Sequence, residues 1–482
     1  MLDIQKRASN SFMALLSLPA TAMGFALSIQ ISALSWLLST KYGLDIHEVG
    51  IVWAAGPIAG ILGQPIVGAI SDNVWFWKGR RRPFIWIGGF LAALMLLALP
   101  NIGIISNALG LDGIIGVAIT VALTLDLAIN VSFNPTRSLI ADVTSTENRT
   151  KGYTWMQFIS GFFGVAAYFI GAMLNKYLLI YVGVVLVLLF SIIPPLFIEE
   201  PRELDGGSDQ ADGPKEKAST MEIINTLQPL WGFIIFGVYK IIIELGGFEV
   251  GHYYVELFCG ALTVVMFGKV FFQGASAEND KIEFQKVMAA HAMTWLGVQS
   301  MFVYTYAYIQ NVLPNMTDDS TGFTIDISFL ILNLVGFLLP VLALEPMTKR
   351  IGRVRTHTIC IAIMALSYAG IAMVGKTVGS LYVLMAFVGI GWAATVSLVF
   401  AIMSVRIDQS RMGLYMGIFN LSVVLPQLVA SLQVGKIVEA SADKSMIYWI
   451  CAGSLGISAL LWIFVRESET QLEPAAGGGG AH

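Results

Sequence analysis

Residues 78–101 read KGRRRPFIWIGGFLAALMLLALPN, a basic cluster followed by a continuous apolar run. A hydrocarbon layer about 30 Å thick takes roughly 20 helical residues to cross, and this run is of that length. It far exceeds the roughly 10 alternating residues of a barrel strand. Working outward, runs of the same kind recur from Ser11 almost to the end of the chain, separated by short polar turns. With 482 residues, 56% hydrophobic and 12% charged, the chain carries more apolar surface than a soluble core absorbs. It reads as an all-α integral membrane protein. The net charge of -4 sits mainly in loops and argues for neither nucleic acid nor an acidic ligand. Cys259, Cys360 and Cys451 lie within apolar segments without metal-type spacing and read as packing residues.

Hydropathy places six helices at 11–39, 47–71, 83–101, 112–141, 150–176 and 178–198, an N-terminal bundle over 1–198. A hydrophilic stretch at 199–228 reads as a connector. Six more helices, at 286–313, 324–345, 356–374, 378–404, 412–438 and 446–465, make a C-terminal bundle over 286–467, and the glycine-rich tail 468–482 is expected to be disordered. Between connector and second bundle, 229–272 is apolar and broken by Gly246, Gly247 and Gly251. It predicts an extra helical hairpin, for fourteen crossings rather than twelve. Against a crossing stand Lys240, Glu244, Glu249, His252 and Glu256, which also suit interfacial helices. Lys240 and Glu244 are one turn apart and are expected to neutralise each other. The leader Met1 to Asn10 is short and polar, and no cleavable signal is expected.

Basic residues set the orientation. Lys78, Arg80, Arg81 and Arg82 follow helix two, Arg149 and Lys151 follow helix four, and Lys349, Arg350, Arg353 and Arg355 occupy the equivalent loop of the second half. All fall on one side with Lys6, Arg7 and Arg466, which predicts that both termini are cytoplasmic. Gly79-Arg80-Arg81 also parallels Gly352-Arg353 and Arg355. Such an internal repeat is expected of a transporter whose two bundles rock about a central site.

The loop after helix two runs Gly68-Ala-Ile-Ser-Asp72, then Lys78-Gly-Arg-Arg-Arg82-Pro. A carboxylate at a helix end facing arginines can latch one conformation through charge-assisted hydrogen bonds, so Asp72, Arg80, Arg81, Arg82, Asp142 and Arg353 are candidate latch residues. Taken alone, the arginines need only reflect the positive-inside bias. The loop resembles the signature loop of the major facilitator superfamily, although its glycine follows the aspartate by seven residues rather than three. With Gln64-Pro65 before it and Pro83-Phe84 after it, this longer form resembles the proton-coupled sucrose and α-glucoside transporter family of plants and its bacterial relatives, of the glycoside-pentoside-hexuronide:cation symporter type. The resemblance implies a major facilitator fold of two six-helix bundles, with the hairpin an addition between them.

Helix four extends the match: Leu125-Asp126-Leu-Ala-Ile-Asn130-Val-Ser-Phe-Asn134-Pro135-Thr-Arg137, then Ala141-Asp142. Eleven residues at about 100° each leave Asp126 and Arg137 only about 20° apart around the helix and about 16 Å apart along it. They share a face but are too distant to pair. An ionised carboxylate within the bilayer is costly, which makes Asp126 a candidate proton carrier; a permanently neutral carboxyl bonded to a neighbouring helix is the other reading. Pro135 is expected to kink the helix. In the resembled family, the aspartate and arginine at these positions carry proton coupling and sugar binding, roles the resemblance implies for Asp126 and Arg137.

In the second half, Gly389-Ile-Gly391-Trp392 and Gly413-Leu-Tyr-Met-Gly417-Ile-Phe-Asn420 with Pro426-Gln427 are similar to the same family. Amides within apolar helices need partners, supplied by sugar hydroxyls or by helix packing, so Asn130, Gln157, Asn420 and Gln427 are candidate binding residues with Gln30 of helix one. Ser28 lies near the same face. Sugar C–H faces stack on aromatic rings, which adds Trp53, Trp295, Tyr304, Tyr306 and Trp392, residues that serve equally as packing or interfacial aromatics. His47 precedes helix two where plant members carry a histidine, but one residue too close to Trp53.

The expectation is a monomeric proton-coupled importer of a disaccharide in a bacterial inner membrane, in contact with lipid and using no cofactor or metal. Sucrose, maltose and other α-glucosides remain open, as does sodium in place of protons. A drug or metabolite efflux antiporter and a non-transporting sugar sensor are the rivals. An enzyme is not expected, since no nucleophile–base pair, paired histidine ligands or phosphate loop is found.

Overall fold

The computed structural model describes residues 9–61, 63, 70, 74–111, 113–144, 146–201, 219–246, 248, 250–273, 279–407 and 412–467. Asp72, Gln64, Pro65 and the tail from 468 lie outside them, as do the side chains of Asn134 and Glu244. The chain folds into α1 (Asn10–Thr40), α2 (Ile46–Ile61), α3 (Arg82–Ala108), α4 (Ile114–Val143), α5 (Thr146–Met173) and α6 (Lys176–Phe197). The hairpin α7 (Trp231–Gly246) and α8 (Tyr254–Phe272) follows. Then come α9 (Asn279–Val312), α10 (Asp318–Ile351), α11 (Arg353–Val374), α12 (Val378–Ser404), α13 (Leu414–Ala440) and α14 (Met446–Ile463).

Eleven of these helices are long and apolar enough to cross a membrane: α1, α3 to α6, α8 and α10 to α14. This is a multi-pass membrane protein. α9 is the informative exception. Over its 34 residues it carries Glu283, Gln285, Lys286, His291, Thr294, Gln299, Ser300 and Thr305, all buried. Its polar groups meet protein rather than lipid, where unsatisfied groups would cost several kcal/mol each, about what transfer to an apolar medium costs.

α4 continues through Pro135. In the hairpin Lys240 Nζ bonds Glu256 Oε1 at 2.7 Å, across from α7 to α8; the expected partner, the Glu244 side chain, lies outside the described residues. An interhelical partner joins the two helices as well as neutralising the charge, which one turn of a single helix would not do. α7 then packs on α13, with Gly237 beside Leu428, while Leu257, Val264 and Phe272 of α8 stay exposed.

The bundles, α1–α6 and α9–α14, meet through α5 on α10 and α2 on α13. We call the side carrying the connector the connector face and the other the far face. A belt of polar contacts joins the bundles in the far half: Trp36 Nε1 donates to the Asp318 carbonyl (2.8 Å), Ser35 Oγ to the Val303 carbonyl (2.9 Å), and the His47 amide to Glu439 (3.2 Å). Gly50 makes the closest approach, because a Cβ there would collide with the Ser431 carbonyl and the Tyr304 hydroxyl. Overpacking of this kind costs about 1–3 kcal/mol. Gly50→Val is therefore expected to lower transport by roughly tenfold, since about 1.4 kcal/mol is a factor of ten. It should also raise labelling of a cysteine placed on the far-face ends of α2 or α13; unchanged labelling would sink the expectation.

Candidate functional site

α4 brings Asp126 to the packed side of the N-terminal bundle, 7% exposed, against α1 and α2. Gln30 Nε2 of α1 donates to Asp126 Oδ2 at 3.0 Å, and Gly56 of α2 leaves room for the carboxylate, since a Cβ there would lie 3.3 Å from the same oxygen. Among the described residues no cation pairs with Asp126. A buried carboxylate with one amide donor and no counter-charge is costly to ionise, because one neutral hydrogen bond replaces little of its lost hydration. One turn on, Asn130 Nδ2 donates to the Asp126 carbonyl at 2.8 Å.

Arg137 lies nearer the connector face and is exposed. Its guanidinium carbon sits 4.1 Å from the centroid of the Phe133 ring, and its carbonyl accepts from Tyr153 at 3.1 Å. Stacking on an aromatic face holds the planar fork while leaving its N–H donors to other acceptors. Gln157 of α5 is also exposed, one residue before Phe158, whose ring packs 5.6 Å from Phe337 of α10.

Within the C-terminal bundle, Trp295 of α9 and Trp392 of α12 meet edge to face at 6.1 Å and 81°, both partly exposed. Gln427 Nε2 of α13 donates to Gln299 Oε1 of α9 at 3.1 Å. Asn420, half-buried, follows Phe419 on α13. The structure thus gathers Gln30, Asp126 and Asn130 in one bundle and Trp295, Trp392, Gln299 and Gln427 in the other.

Other sequence candidates sit in the packing. Trp53 donates through Nε1 to Ser35 Oγ at 2.8 Å and is buried. The Tyr304 hydroxyl donates toward the Ala430 and Ser431 carbonyls, 3.2 and 2.9 Å away, in a π-helical segment of α13. A wider turn leaves carbonyls in need of such donors. Ser28 Oγ donates to the Gly24 carbonyl. Tyr306 lines an open far-face pocket of about 440 Å³ with Asp45, Gln310, Asn311, Asp318 and Glu439.

At the connector face Arg81 Nε pairs with Asp142 at 3.1 Å. The main partner of the arginine loop was not legible in the sequence: Glu200, just beyond α6, accepts the backbone N–H groups of Arg80, Arg81 and Arg82 at 2.7 to 2.8 Å. Its counterpart is Glu467 beyond α14, which accepts the amides of Arg353 (2.7 Å) and Val354 (3.0 Å). Each carboxylate sits at a helix N-terminus, where unpaired amides and the helix dipole favour negative charge. The repeat therefore extends to how each third helix is anchored.

A second charge site also escaped sequence reading. Lys176, the first residue of α6, pairs at 2.6 Å with Asp326 of α10, and both are buried, at 4% and 0% side-chain exposure. Ser32 of α1 completes it: its hydroxyl donates to Asp326 Oδ1, and its carbonyl accepts from Lys176 Nζ at 2.8 Å. Three helices from two bundles meet there. The available signal was a lone lysine at the start of α6 and an aspartate two turns into α10, with nothing in their spacing to pair them.

Two six-helix bundles with matching anchors, enclosing buried carboxylates and a buried polar helix, define a two-bundle membrane transport fold. The family model for the Major Facilitator Superfamily matches residues 16–431 and 295–481; the chain belongs to that superfamily. It is 31% identical over 189 residues to the general alpha-glucoside permease of Schizosaccharomyces pombe, a stretch covering 36% of this chain and 34% of the permease. Against the sucrose transport protein SUC4 of Arabidopsis thaliana it is 23% identical over 483 residues, covering 89% of this chain and 85% of that protein. The solved structure of the POT family transporter PepTSo superposes with a TM-score of 0.67 at 11% identity, over 95% of this chain and 98% of that one.

Proposed function

We propose that the chain is a secondary active transporter that imports a disaccharide of the sucrose or α-glucoside class together with a proton, by alternating access. The observation that carries this reading is Asp126: a buried carboxylate bonded to Gln30, with no cation paired to it among the described residues. Protonated, it is neutral and compatible with a closed site; once open to water, it can release its proton. The names of the similar permease and sucrose transport protein supply the sugar class.

The connector face, with its arginine loops, is assigned to the cytoplasm by the positive-inside bias. The belt at Ser35, Trp36, Gly50 and Lys176 then closes the outer side. Proton and sugar enter from outside, the bundles rock, and Asp126 loses its proton inward with sugar release. One charge moving down the membrane potential supplies about 2.3 kcal/mol per 100 mV, on the order of a fiftyfold concentration ratio.

The test is uptake into proteoliposomes of radiolabelled sucrose, maltose and other α-glucosides under imposed proton or sodium gradients. Accumulation driven by an inward proton gradient supports the proposal. Sodium-driven uptake alone removes the proton, and sugar moving against the proton direction makes the chain an antiporter. For Arg137, replacement by Lys keeps the charge and loses the planar fork. Uptake is expected to fall at least tenfold, and normal kinetics in that variant would make Arg137 structural.

A further inference from the structure

Trp295 is held by a residue that nothing in the sequence marked. His291 lies one turn before it on α9, buried at 2% exposure. Its ring stacks on Phe419 of α13, with centroids 5.0 Å apart and an interplanar angle of 12°. Trp295 Nε1 donates to His291 Nε2 at 2.9 Å, and the two rings stand at 88°. With Nε2 accepting, the imidazole proton sits on Nδ1, which has no partner among the described residues. Trp295 in turn stands edge-on to Trp392, which stands edge-on to Phe302 at 5.5 Å.

These contacts divide the labour. A ring buried to this degree has almost no surface to offer a ligand, whereas Trp295 remains partly exposed. An indole whose N–H is satisfied within its own helix cannot turn that group toward a ligand without losing the bond. The flat stack on Phe419 stops the imidazole from rotating its acceptor away. We propose that His291 is a positioning residue for the sugar site: it fixes the Trp295 indole so that its face is presented to a sugar ring, and it acts on affinity only through Trp295. The inference rests on the assignment of Trp295 to the sugar site.

Full-length variants in proteoliposomes test it, with radiolabelled sucrose and maltose as probes. His291→Phe keeps a flat ring against Phe419 and removes the acceptor. KM is expected to rise about fivefold to tenfold with kcat within twofold, the ratio equivalent to one hydrogen bond of about 1 to 1.4 kcal/mol. His291→Gln places an amide oxygen near the Nε2 position and should restore KM to within about twofold. Trp295→Phe alone should raise KM, and adding His291→Phe to it should change nothing more, because the shared interaction is already gone. Additive effects overturn the inference, as does an unchanged KM in His291→Phe when Trp295→Phe raises it. If Trp295→Phe itself leaves KM unchanged, the placement of the sugar at Trp295 is what fails, and His291 falls with it. Thermal unfolding of the purified variants reports on folding. Should His291→Phe not fold, the comparison of His291→Gln with His291→Asn, whose shorter side chain displaces the acceptor, decides: equal KM values overturn the inference, and a raised KM in the asparagine variant alone supports it.

Discussion

Asp126→Asn is expected to abolish proton-driven accumulation while leaving a folded protein that exchanges sugar down its gradient. The replacement is nearly isosteric, and the new amide oxygen can still accept from Gln30, so the junction of α1, α2 and α4 keeps its hydrogen bond. What disappears is the group that can be charged on one side and neutral on the other. The concentration ratio should fall from on the order of fiftyfold per 100 mV to unity, and sugar-induced proton uptake should vanish. Counterflow of labelled sugar should persist. Retained proton uptake in the asparagine variant would remove Asp126 from the coupling scheme.

The second large effect belongs to Lys176 and Asp326. Removing one partner leaves a buried charge without its counter-ion, at a cost of about 3–5 kcal/mol. Because the pair joins α6 to α10, that cost falls on the state in which the far sides of the bundles touch. Either Lys176→Met or Asp326→Asn should shift the balance toward the far-open state by at least two orders of magnitude, a ratio of ten for each 1.4 kcal/mol or so. The asparagine variant tests this more stringently, since it leaves Lys176 charged beside only Ser32. Spin labels on the far-face ends of α1 and α9 would read the change as a longer distance. The double variant Lys176→Met with Asp326→Leu should return most of the population to the closed state, since an apolar pair often replaces a buried ion pair without loss. If the single and double variants give the same distance distribution as the unaltered protein, the pair does not hold the far face shut.

Much of the site was legible one element at a time. Asp126 stands out because a carboxylate midway along an apolar helix is costly to ionise, Arg137 shares its face by the period of that helix, and Asn130 is an amide within it. Gln30 could be placed on α1, but not its bond to Asp126, which joins residues 96 positions apart. Aromatic residues were the least readable. Trp53, Tyr304 and Trp295 look alike in sequence, and only packing separates a tryptophan that donates to Ser35 and a tyrosine bonded to α13 from an indole that keeps an exposed face. The hairpin shows the same limit. A helix wheel offers Lys240 a neighbour on its own helix, but it does not show the carboxylate of Glu256, which reaches Lys240 from α8.

From its residues alone this chain was readable as a two-fold repeated bundle of membrane helices with one chemically conspicuous carboxylate. Hydrophobic run length, basic loops and helical period are local quantities, each measured along a few turns of one segment. The tertiary structure alone decided which charges are paired: Glu200 with the start of α3, Glu467 with the start of α11, and Lys176 with Asp326 through Ser32. In lipid a polar group must find its partner inside the protein, and that partner is chosen by how helices cross rather than by distance along the chain.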